Sequence, residues 1–245
     1  MNQKMRLTLL VALAAVMISF PAHANYWNED MSGSWAMSGA GGDDGMLLSV
    51  ELGYPDIAKV NFWKIGNSSD FGAFFNFTDQ MFDYGENGIQ FGANMRFKLM
   101  EKDSWDLSLR VSPGLEMYFW GYGAYDETAF GLLVDLRLLA GIQIVPRFRV
   151  HAGIAMPIEI IIASTEDHGD DALWPWFAFP VQINGGAEFK ITPKISVLAD
   201  LRFGPAFKFG DYVDANDWDW RDDESDMDSG AWFDYRVTVG AAFRF

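Results

Sequence analysis

Residues 231–245 read AWFDYRVTVGAAFRF, and their alternation decides the fold of the chain. Every odd-numbered position in this stretch is apolar or aromatic. The even-numbered positions hold Trp232, small residues and the charged side chains Asp234, Arg236 and Arg244. A strict period of two places these two sets on opposite faces of a β-strand. Because about 9 to 11 tilted residues cross the hydrocarbon of a bilayer, this stretch is long enough to be a membrane strand.

The chain ends on an aromatic residue, Phe245, which follows Phe243 on the apolar face of this strand. A closing strand of this kind resembles the assembly signal of bacterial outer-membrane β-barrels, such as small barrels of the OmpA/OmpX type, although no motif selects a subfamily. The resemblance implies an all-β fold: a closed, antiparallel, up-and-down barrel that spans the membrane. It also implies insertion by the barrel-assembly machinery, with Phe243 and Phe245 as the assembly signal.

The first 24 residues have the features of a secretory signal peptide. Lys4 and Arg6 precede an apolar run over residues 7–20, and a small-residue Ala-His-Ala pattern ends at Ala24. An apolar run of about 14 residues is shorter than the roughly 20 that a transmembrane helix needs. We therefore expect cleavage after Ala24 and export to the outer membrane of a Gram-negative-type bacterium.

Composition excludes several classes of function. Loss of the two basic residues in the signal peptide leaves 16 of 18 Lys and Arg residues against 34 Asp and Glu residues, a net charge near −18. So acidic a chain is not expected to bind nucleic acid. The chain has no cysteine, which excludes disulfides, a thiolate nucleophile and a cysteine-bound metal. No cofactor is expected.

The rest of the chain repeats the alternation in segments that polar turns separate. Eight such segments lie within residues 71–245, and residues 46–64 add a hairpin, so ten strands are favoured and eight remain the alternative. Short turns near Glu101, Val145 and Thr192 alternate with longer connections, which resembles the short periplasmic turns and long outer loops of bacterial barrels. The predicted organisation is a signal peptide at residues 1–24, an irregular lead-in at residues 25–45 and a transmembrane barrel at residues 46–245.

Closure of the sheet directs the polar alternate positions into a shared interior. An open sheet edge in lipid leaves backbone groups unpaired at several kcal/mol each, so the strands have to close. A lumen of eight to ten strands is narrow enough for side chains to fill, and mixed charges there satisfy one another as an ionic network. The predicted network consists of Arg96, Arg110, Glu116, Asp135, Arg137, Arg149, Glu159, Glu188, Asp200, Arg202, Asp234 and Arg236; the same face carries Glu51, Lys59, Lys98, Asp106, His151, Lys190, Lys208 and Arg244.

A filled lumen of this kind predicts a structural or surface-interacting role for the barrel. The alternative is a narrow porin-like channel for small solutes, in which the same charges would line a pore. The two interpretations differ only in whether the interior side chains leave a continuous path for water.

The connection over residues 211–228 is rich in carboxylates, which are the ligands that Ca²⁺ and Mg²⁺ prefer. Within it, the segment from Asp217 to Trp220 alternates acidic residues but lacks the glycine and the distal glutamate of a calcium-binding loop, so a solvated charged loop is the simpler interpretation. Divalent cations on this loop would bridge it to lipopolysaccharide, which together with membrane lipid is an expected partner. The candidate metal ligands are Asp217, Asp219, Asp222 and Asp223.

Histidine is too scarce to indicate a clear catalytic site. Of the two mature histidines, His151 alternates into the lumen between charged neighbours, which indicates a structural role. His168 lies beside Asp167 and near Ser164 in an outer loop, the one arrangement worth naming for hydrolysis or acyl transfer on lipid. Because no Gly-x-Ser-x-Gly elbow accompanies it, the chain is predicted not to be an enzyme.

Replacing Phe245 with a polar residue, as in Phe245→Ser, is expected to impair assembly in cells more than folding in detergent. The predicted signal acts through the assembly machinery, which takes no part in refolding into detergent. Heat-modifiable gel mobility measures both, in isolated outer membranes and in the refolded protein. Equal loss in the two preparations would contradict the signal role.

Overall fold

The computed structural model describes residues 35–37, 45–80, 86–102, 104–122, 125–167, 170–210, 213–214 and 228–245. These residues form an all-β structure, as the alternation predicts. Within these ranges, no helix is long and apolar enough to cross a bilayer. The predicted signal peptide at residues 1–24 lies outside the described residues, as does most of the predicted lead-in at residues 25–45.

Twelve strands follow one another in the described part of the chain. They are β1 (Gly45–Tyr54), β2 (Asp56–Ile65), β3 (Ser69–Gln80), β4 (Glu86–Lys102), β5 (Trp105–Tyr122), β6 (Tyr125–Val145), β7 (Phe148–Asp167), β8 (Asp170–Ala178), β9 (Gln182–Thr192), β10 (Ile195–Gly210), β11 (Val213–Asp214) and β12 (Asp228–Arg244). Strands β1 to β7 pair in chain order, and β7 pairs with both β8 and β9. Both of these pair with β10, which pairs with β12, and β12 returns to β1. All pairs are antiparallel, so the sheet closes into a barrel.

Strands β8 and β9 together form one wall strand that is interrupted at Phe179, Pro180 and Val181. Proline has no N–H to donate, which explains a gap in the ladder with β7 at this point. Towards β10 the backbone bonding continues, because the N–H groups of Phe179 and Val181 donate to the carbonyls of Phe207 (3.0 Å) and Pro205 (2.8 Å). The two-residue strand β11 pairs with β8 beyond the end of β10 and is not counted as a separate wall strand. The barrel therefore has ten wall strands, which confirms the ten-strand prediction over the eight-strand alternative.

The two rims of the barrel differ in their connections. The short-turn end, as we call it, carries the start of β1, the end of β12 and the turns at residues 66–68, 103–104, 146–147 and 193–194. The long-loop end carries the connections at residues 81–85, 123–124, 168–169 and 211–227, the last of which includes β11. These connections vary in length, since two of them have two residues each and Pro55 alone joins β1 to β2 at the same end.

The β1–β2 hairpin is much shorter than the β6–β7 hairpin. Strands β1 and β2 have 10 residues each, whereas β6 has 21 and β7 has 20. The last residue pair between β1 and β12 is Tyr54 with Val237, and β12 extends beyond this pair to Asp228. The wall is therefore lower at β1 and β2 than at β6 and β7.

The alternation along each wall strand sends apolar side chains outward. Large apolar residues are exposed on all of the wall strands, with Ile183 at 59% and Phe233 at 63% as examples. A continuous apolar surface of this extent is unfavourable in water and suited to hydrocarbon.

Glycines in the wall make room for the larger lumen side chains of neighbouring strands. A Cβ atom at Gly131 would lie 2.6 Å from Oε1 of Glu116. A Cβ atom at Gly186 would lie 2.4 Å from Cε1 of His151 and 2.3 Å from the carbonyl oxygen of Ala199. Side-chain volume in the lumen is thus matched from strand to strand.

Gly186→Ala is expected to lower the free energy of unfolding by about 1 to 3 kcal/mol, because the new methyl group would overlap the His151 ring and the Ala199 carbonyl. Gly185→Ala is the matched control, since a Cβ atom there meets nothing closer than the His151 carbonyl oxygen at 3.8 Å. Urea unfolding in detergent micelles compares the two variants. Equal stability of both would contradict the close fit at Gly186.

Candidate functional site: the barrel lumen

The lumen collects the charged side chains of the wall strands. Among the described residues, nine carboxylates, eight Lys or Arg side chains and His151 are buried. Of the twelve residues in the predicted network, eleven belong to this set, and Asp234 is half-buried. The set comprises Glu51, Asp56, Lys59, Asp70, Arg96, Asp106, Arg110, Glu116, Asp135, Arg137, Arg149, His151, Glu159, Glu188, Lys190, Asp200, Arg202 and Arg236.

Glu188 organises the short-turn end of the lumen. Its Oε2 accepts hydrogen bonds from the backbone N–H groups of Ala36 (2.7 Å) and Met37 (3.2 Å). Its Oε1 accepts hydrogen bonds from the Ser196 hydroxyl (2.6 Å) and from Nη2 of Arg244 (2.6 Å). One buried carboxylate on β9 therefore joins the N-terminal segment to β10 and β12.

Arg96 holds the same N-terminal segment from β4. Its Nη1 donates to the carbonyl oxygen of Ala36 at 2.7 Å. Its Nε donates to Oδ2 of Asp70 at 2.7 Å, and the Arg96–Asp70 pair is fully buried. The guanidinium also lies over the ring of Trp63, 4.7 Å from the ring centroid. The Arg96–Asp70 ion pair is hydrogen-bonded and is not screened by solvent. It holds Arg96 in place, and Arg96 in turn binds the N-terminal segment from the side opposite Glu188.

Trp35, Ala36 and Met37 form a turn inside the lumen. The Trp35 side chain is 3% exposed, and its ring centroid lies 4.1 Å from Nζ of Lys190, a cation–π distance. The sequence assigns this region to an irregular lead-in and gives no place for it in the lumen, so the turn is a finding of the structure. It closes the short-turn end together with an apolar cluster to which Leu47, Trp63, Ile65, Leu198 and Ala242 contribute.

In the middle of the lumen, Asp135 and Asp200 are the main hydrogen-bond acceptors. Arg137 donates to Asp135 from Nε at 2.8 Å and from Nη2. Oδ1 of Asp200 accepts a hydrogen bond from Asn184 at 2.6 Å and lies 2.9 Å from Nε2 of His151. The imidazole is therefore engaged with the wall of the barrel, in agreement with a structural role for His151.

Towards the long-loop end, neutral donors contact the carboxylates. Oε2 of Glu116 accepts hydrogen bonds from Gln90 (3.1 Å) and from the Tyr118 hydroxyl (2.9 Å). Arg236 reaches Glu159, at a longer distance of 3.7 Å. This part of the lumen is held together by hydrogen bonds more than by close ion pairs.

Two further members of the predicted network take part in local pairs. Arg149 contacts Asp106 near the short-turn end. Asp234 accepts a hydrogen bond from Gln182 at 2.6 Å and lies 3.5 Å from Nε of Arg236. The structure therefore distributes the predicted residues along the whole lumen, in groups that each link several strands.

Two buried carboxylates, Asp56 and Asp70, belong neither to the predicted network nor to the other residues predicted to face the lumen. Asp70 continues the inward-facing positions of Gly72 and Phe74 on β3, so the alternation does contain its signal. Asp56 gives no such signal, because the pairing register shifts between Asp56 and Ala58. A one-residue shift in the pairing register exchanges the inward and outward positions of a strand. Counting alternate positions back from Lys59 and Asn61 therefore places Asp56 on the outer face, although its side chain is buried.

Phe243 and Phe245 lie on the outer face of β12 at the short-turn end, where they are 37% and 74% exposed. Phe243 pairs with Leu48 of β1 and Ile195 of β10, and the N–H of Phe245 donates to the carbonyl of Met46 at 3.0 Å. The terminal strand therefore closes the barrel. Its role as an assembly signal stays a prediction.

Several predicted sites fall outside what the structure describes. Within the described residues, no three His, Asp or Glu side chains are arranged to hold a metal ion. The predicted metal ligands Asp217, Asp219, Asp222 and Asp223 and the predicted catalytic residue His168 lie outside the described residues. The side chains of Ser164 and Asp167, next to His168, also lie outside them.

The closed ten-stranded wall, its apolar exterior and its charged interior define the architecture. The fold is that of a membrane-spanning β-barrel. Neither a scan against protein-family models nor a search of curated proteins finds a match for the chain. Among solved structures, it is similar to the outer membrane protease OmpT from Escherichia coli, with a TM-score of 0.43 and 10% identity over 82% of this chain and 94% of that one. It is also similar to the translocator domain of the autotransporter NalP from Neisseria meningitidis, with a TM-score of 0.39 and 11% identity over 85% of this chain and 91% of that one.

A single cysteine tests how firmly the Trp35–Met37 turn is held. The chain has no native cysteine, and Met37→Cys introduces one thiol that is smaller than the side chain it replaces. Adding Glu188→Ala is expected to raise the rate of labelling by a hydrophilic maleimide at least about tenfold, because it removes the carboxylate that accepts both hydrogen bonds from the backbone N–H groups of the turn. Glu101→Ala, which removes an exposed carboxylate at the same end, is the control. Equal labelling rates in the two backgrounds would contradict the role of Glu188.

Proposed function

We propose that the protein is a closed, non-conducting outer-membrane β-barrel with a structural or surface-interaction role. The observation that carries this proposal is the filled lumen. Glu188 and Arg96 hold the Trp35–Met37 turn across one end, and buried charged side chains occupy the remainder. Conduction requires a continuous path for water, and a barrel of this size is narrow enough for its own side chains to block one.

We further propose a cellular location and a set of partners for the barrel. Residues 1–24 direct export and are removed after Ala24, and the barrel resides in the outer membrane of a Gram-negative-type bacterium. The exposed apolar exterior supports membrane lipid and lipopolysaccharide as its surroundings. The barrel-assembly machinery binds the terminal strand during biogenesis through Phe243 and Phe245. Nucleic acid is not a partner of a mature chain with 16 basic and 34 acidic residues, a net charge near −18.

The surface role rests on the connections at the long-loop end. The region between β10 and β12 contains a dense run of Asp and Glu residues with Arg221 as its one basic residue. Divalent cations bound by these carboxylates would cross-link the barrel to the phosphate groups of lipopolysaccharide. No enzymatic role is included in the proposal, and the pair of His168 and Ser164 stays the one arrangement to test for lipid modification.

A narrow channel for small solutes is the second candidate. One observation favours it, a cavity of about 20 Å³ in the middle of the lumen. For conduction this cavity would have to connect to both rims, past Trp63 and the Trp35–Met37 turn on one side.

Single-channel recording of the refolded protein in planar bilayers tests the proposal. The wild-type protein is expected to show no discrete conductance steps, with heat-modifiable gel mobility as the check that the barrel has folded. A variant that lacks residues 25–44 loses the turn and keeps all wall strands. It is also expected to stay silent, because Trp63 and Arg110, whose guanidinium lies 5.0 Å from the Trp63 ring, remain behind the turn.

Discrete steps in the wild-type protein would contradict the proposal and favour the channel. Conductance steps that occur only in the deletion variant would show that the Trp35–Met37 turn is what closes the lumen.

A further inference from the structure

The cavity in the middle of the lumen has four basic residues and one acidic residue among the eleven that line it. Its volume of about 20 Å³ is enough for one or two particles of the size of water, since one water needs roughly 10 to 15 Å³. The basic residues in its lining are Lys59, Arg110, Arg202 and Arg236, and the acidic residue is Asp135. This lining therefore carries an excess of positive charge.

Lys59 reaches the cavity without a carboxylate partner. In the described part of the chain, its ammonium group forms no hydrogen bond and has no carboxylate within 4.0 Å, although the residue is only 7% exposed. Glu51, directly across on β1, is engaged elsewhere, because its carboxylate accepts hydrogen bonds from Asn61 (2.9 Å) and Thr238 (3.1 Å). A buried ammonium group without a counter-charge is destabilising.

Arg110 faces the same cavity and is bonded to neutral groups. Its Nη2 donates to Oδ1 of Asn94 at 2.8 Å and to Oδ1 of Asn61 at 3.1 Å, and its Nε donates to the Ser112 hydroxyl at 3.1 Å. The amide and hydroxyl oxygens accept the hydrogen bonds that these N–H groups donate. They do not compensate the charge of the guanidinium.

Arg202, which also lines the cavity, has N–H groups that form no hydrogen bond. The residue is 2% exposed, and its Nε and Nη1 form no hydrogen bond. Its carboxylate neighbours lie at 3.5 Å (Asp135), 3.6 Å (Asp56) and 3.7 Å (Asp200), beyond the roughly 2.7 to 2.9 Å of a charge-assisted hydrogen bond. In Asp135, the carboxylate in the cavity lining, Oδ2 accepts hydrogen bonds from Arg137, whereas Oδ1 accepts none.

We propose that this cavity binds one small inorganic anion of about the size of a halide ion, between Lys59 and Arg202. The anion supplies a close counter-charge to Lys59 and Arg110, neither of which has a carboxylate of the described residues within 4.0 Å, and it accepts hydrogen bonds from the unused N–H groups of Arg202. These three residues lie on β2, β5 and β10. A single bound ion therefore ties three separate parts of the wall together, and the folded barrel becomes more stable as the anion concentration rises.

Thermal unfolding of the refolded mature protein in detergent tests this proposal. Chloride replaces gluconate at constant sodium concentration and ionic strength. The unfolding midpoint is expected to stay constant at low chloride and then, above the dissociation constant, to rise with the logarithm of the chloride concentration. In Lys59→Met, which keeps the length of the side chain and removes its charge, the chloride concentration at which this rise begins is expected to increase at least about tenfold. Lys64→Met is the matched control, because Lys64 lies on the same strand and is exposed on the outer face. It is expected to keep the wild-type chloride dependence.

Bromide provides a direct probe that needs no variant. Crystals of the wild-type protein soaked in bromide are expected to show an anomalous scattering peak in the cavity, between Lys59 and Arg202. An empty cavity in these crystals would overturn the proposal. So would an unfolding midpoint that does not respond to chloride, or a chloride dependence in Lys59→Met equal to that of the wild-type protein.

Discussion

The structure depends on one constraint, which is that every backbone N–H and C=O group in contact with hydrocarbon needs a partner within the protein. The pairing of β12 with β1 meets this constraint, because it leaves the sheet without an open edge along the shared length of the two strands. It extends to the last residue, where the N–H of Phe245 bonds to Met46. Once the sheet is closed, the two faces of each strand have opposite environments, and the alternation of the sequence follows from that geometry.

Closure also fixes the volume that the inward side chains have to fill. The lumen acts as a core in which most of the packing is polar, so its stability depends on matching charge as well as volume. Nine buried carboxylates face eight buried Lys and Arg side chains among the described residues, and Gly131 and Gly186 provide space for Glu116 and His151. The apolar cluster around Trp63 lies at the short-turn end, where the Trp35–Met37 turn covers it.

The sequence predicts those features that arise from strict alternation. The ten wall strands follow from the period of two, and so does the inward direction of residues such as Arg96 and Glu188. Alternation fails at Asp56, because a register shift next to a turn changes the direction of its side chain. It also gives no information about the Trp35–Met37 turn, which is held by tertiary contacts with Glu188 and Arg96 and not by a local pattern. The arrangement of the cations around the central cavity likewise depends on which strands face each other across the lumen, which no single strand encodes.

The short β1–β2 hairpin has a consequence for the membrane around the protein. Outward apolar positions run from Met46 to Leu52 on β1 and from Phe148 to Ile162 on β7, so the hydrophobic belt is about half as tall on one side of the barrel. Lipid tails adapt to such a mismatch by local thinning, at a cost of fractions of a kcal/mol for each ångström. A bilayer that follows this belt would be thinner beside β1 and β2 than beside β6 and β7. A neighbouring protein with a similarly low wall would reduce this elastic cost by lying against that side of the barrel.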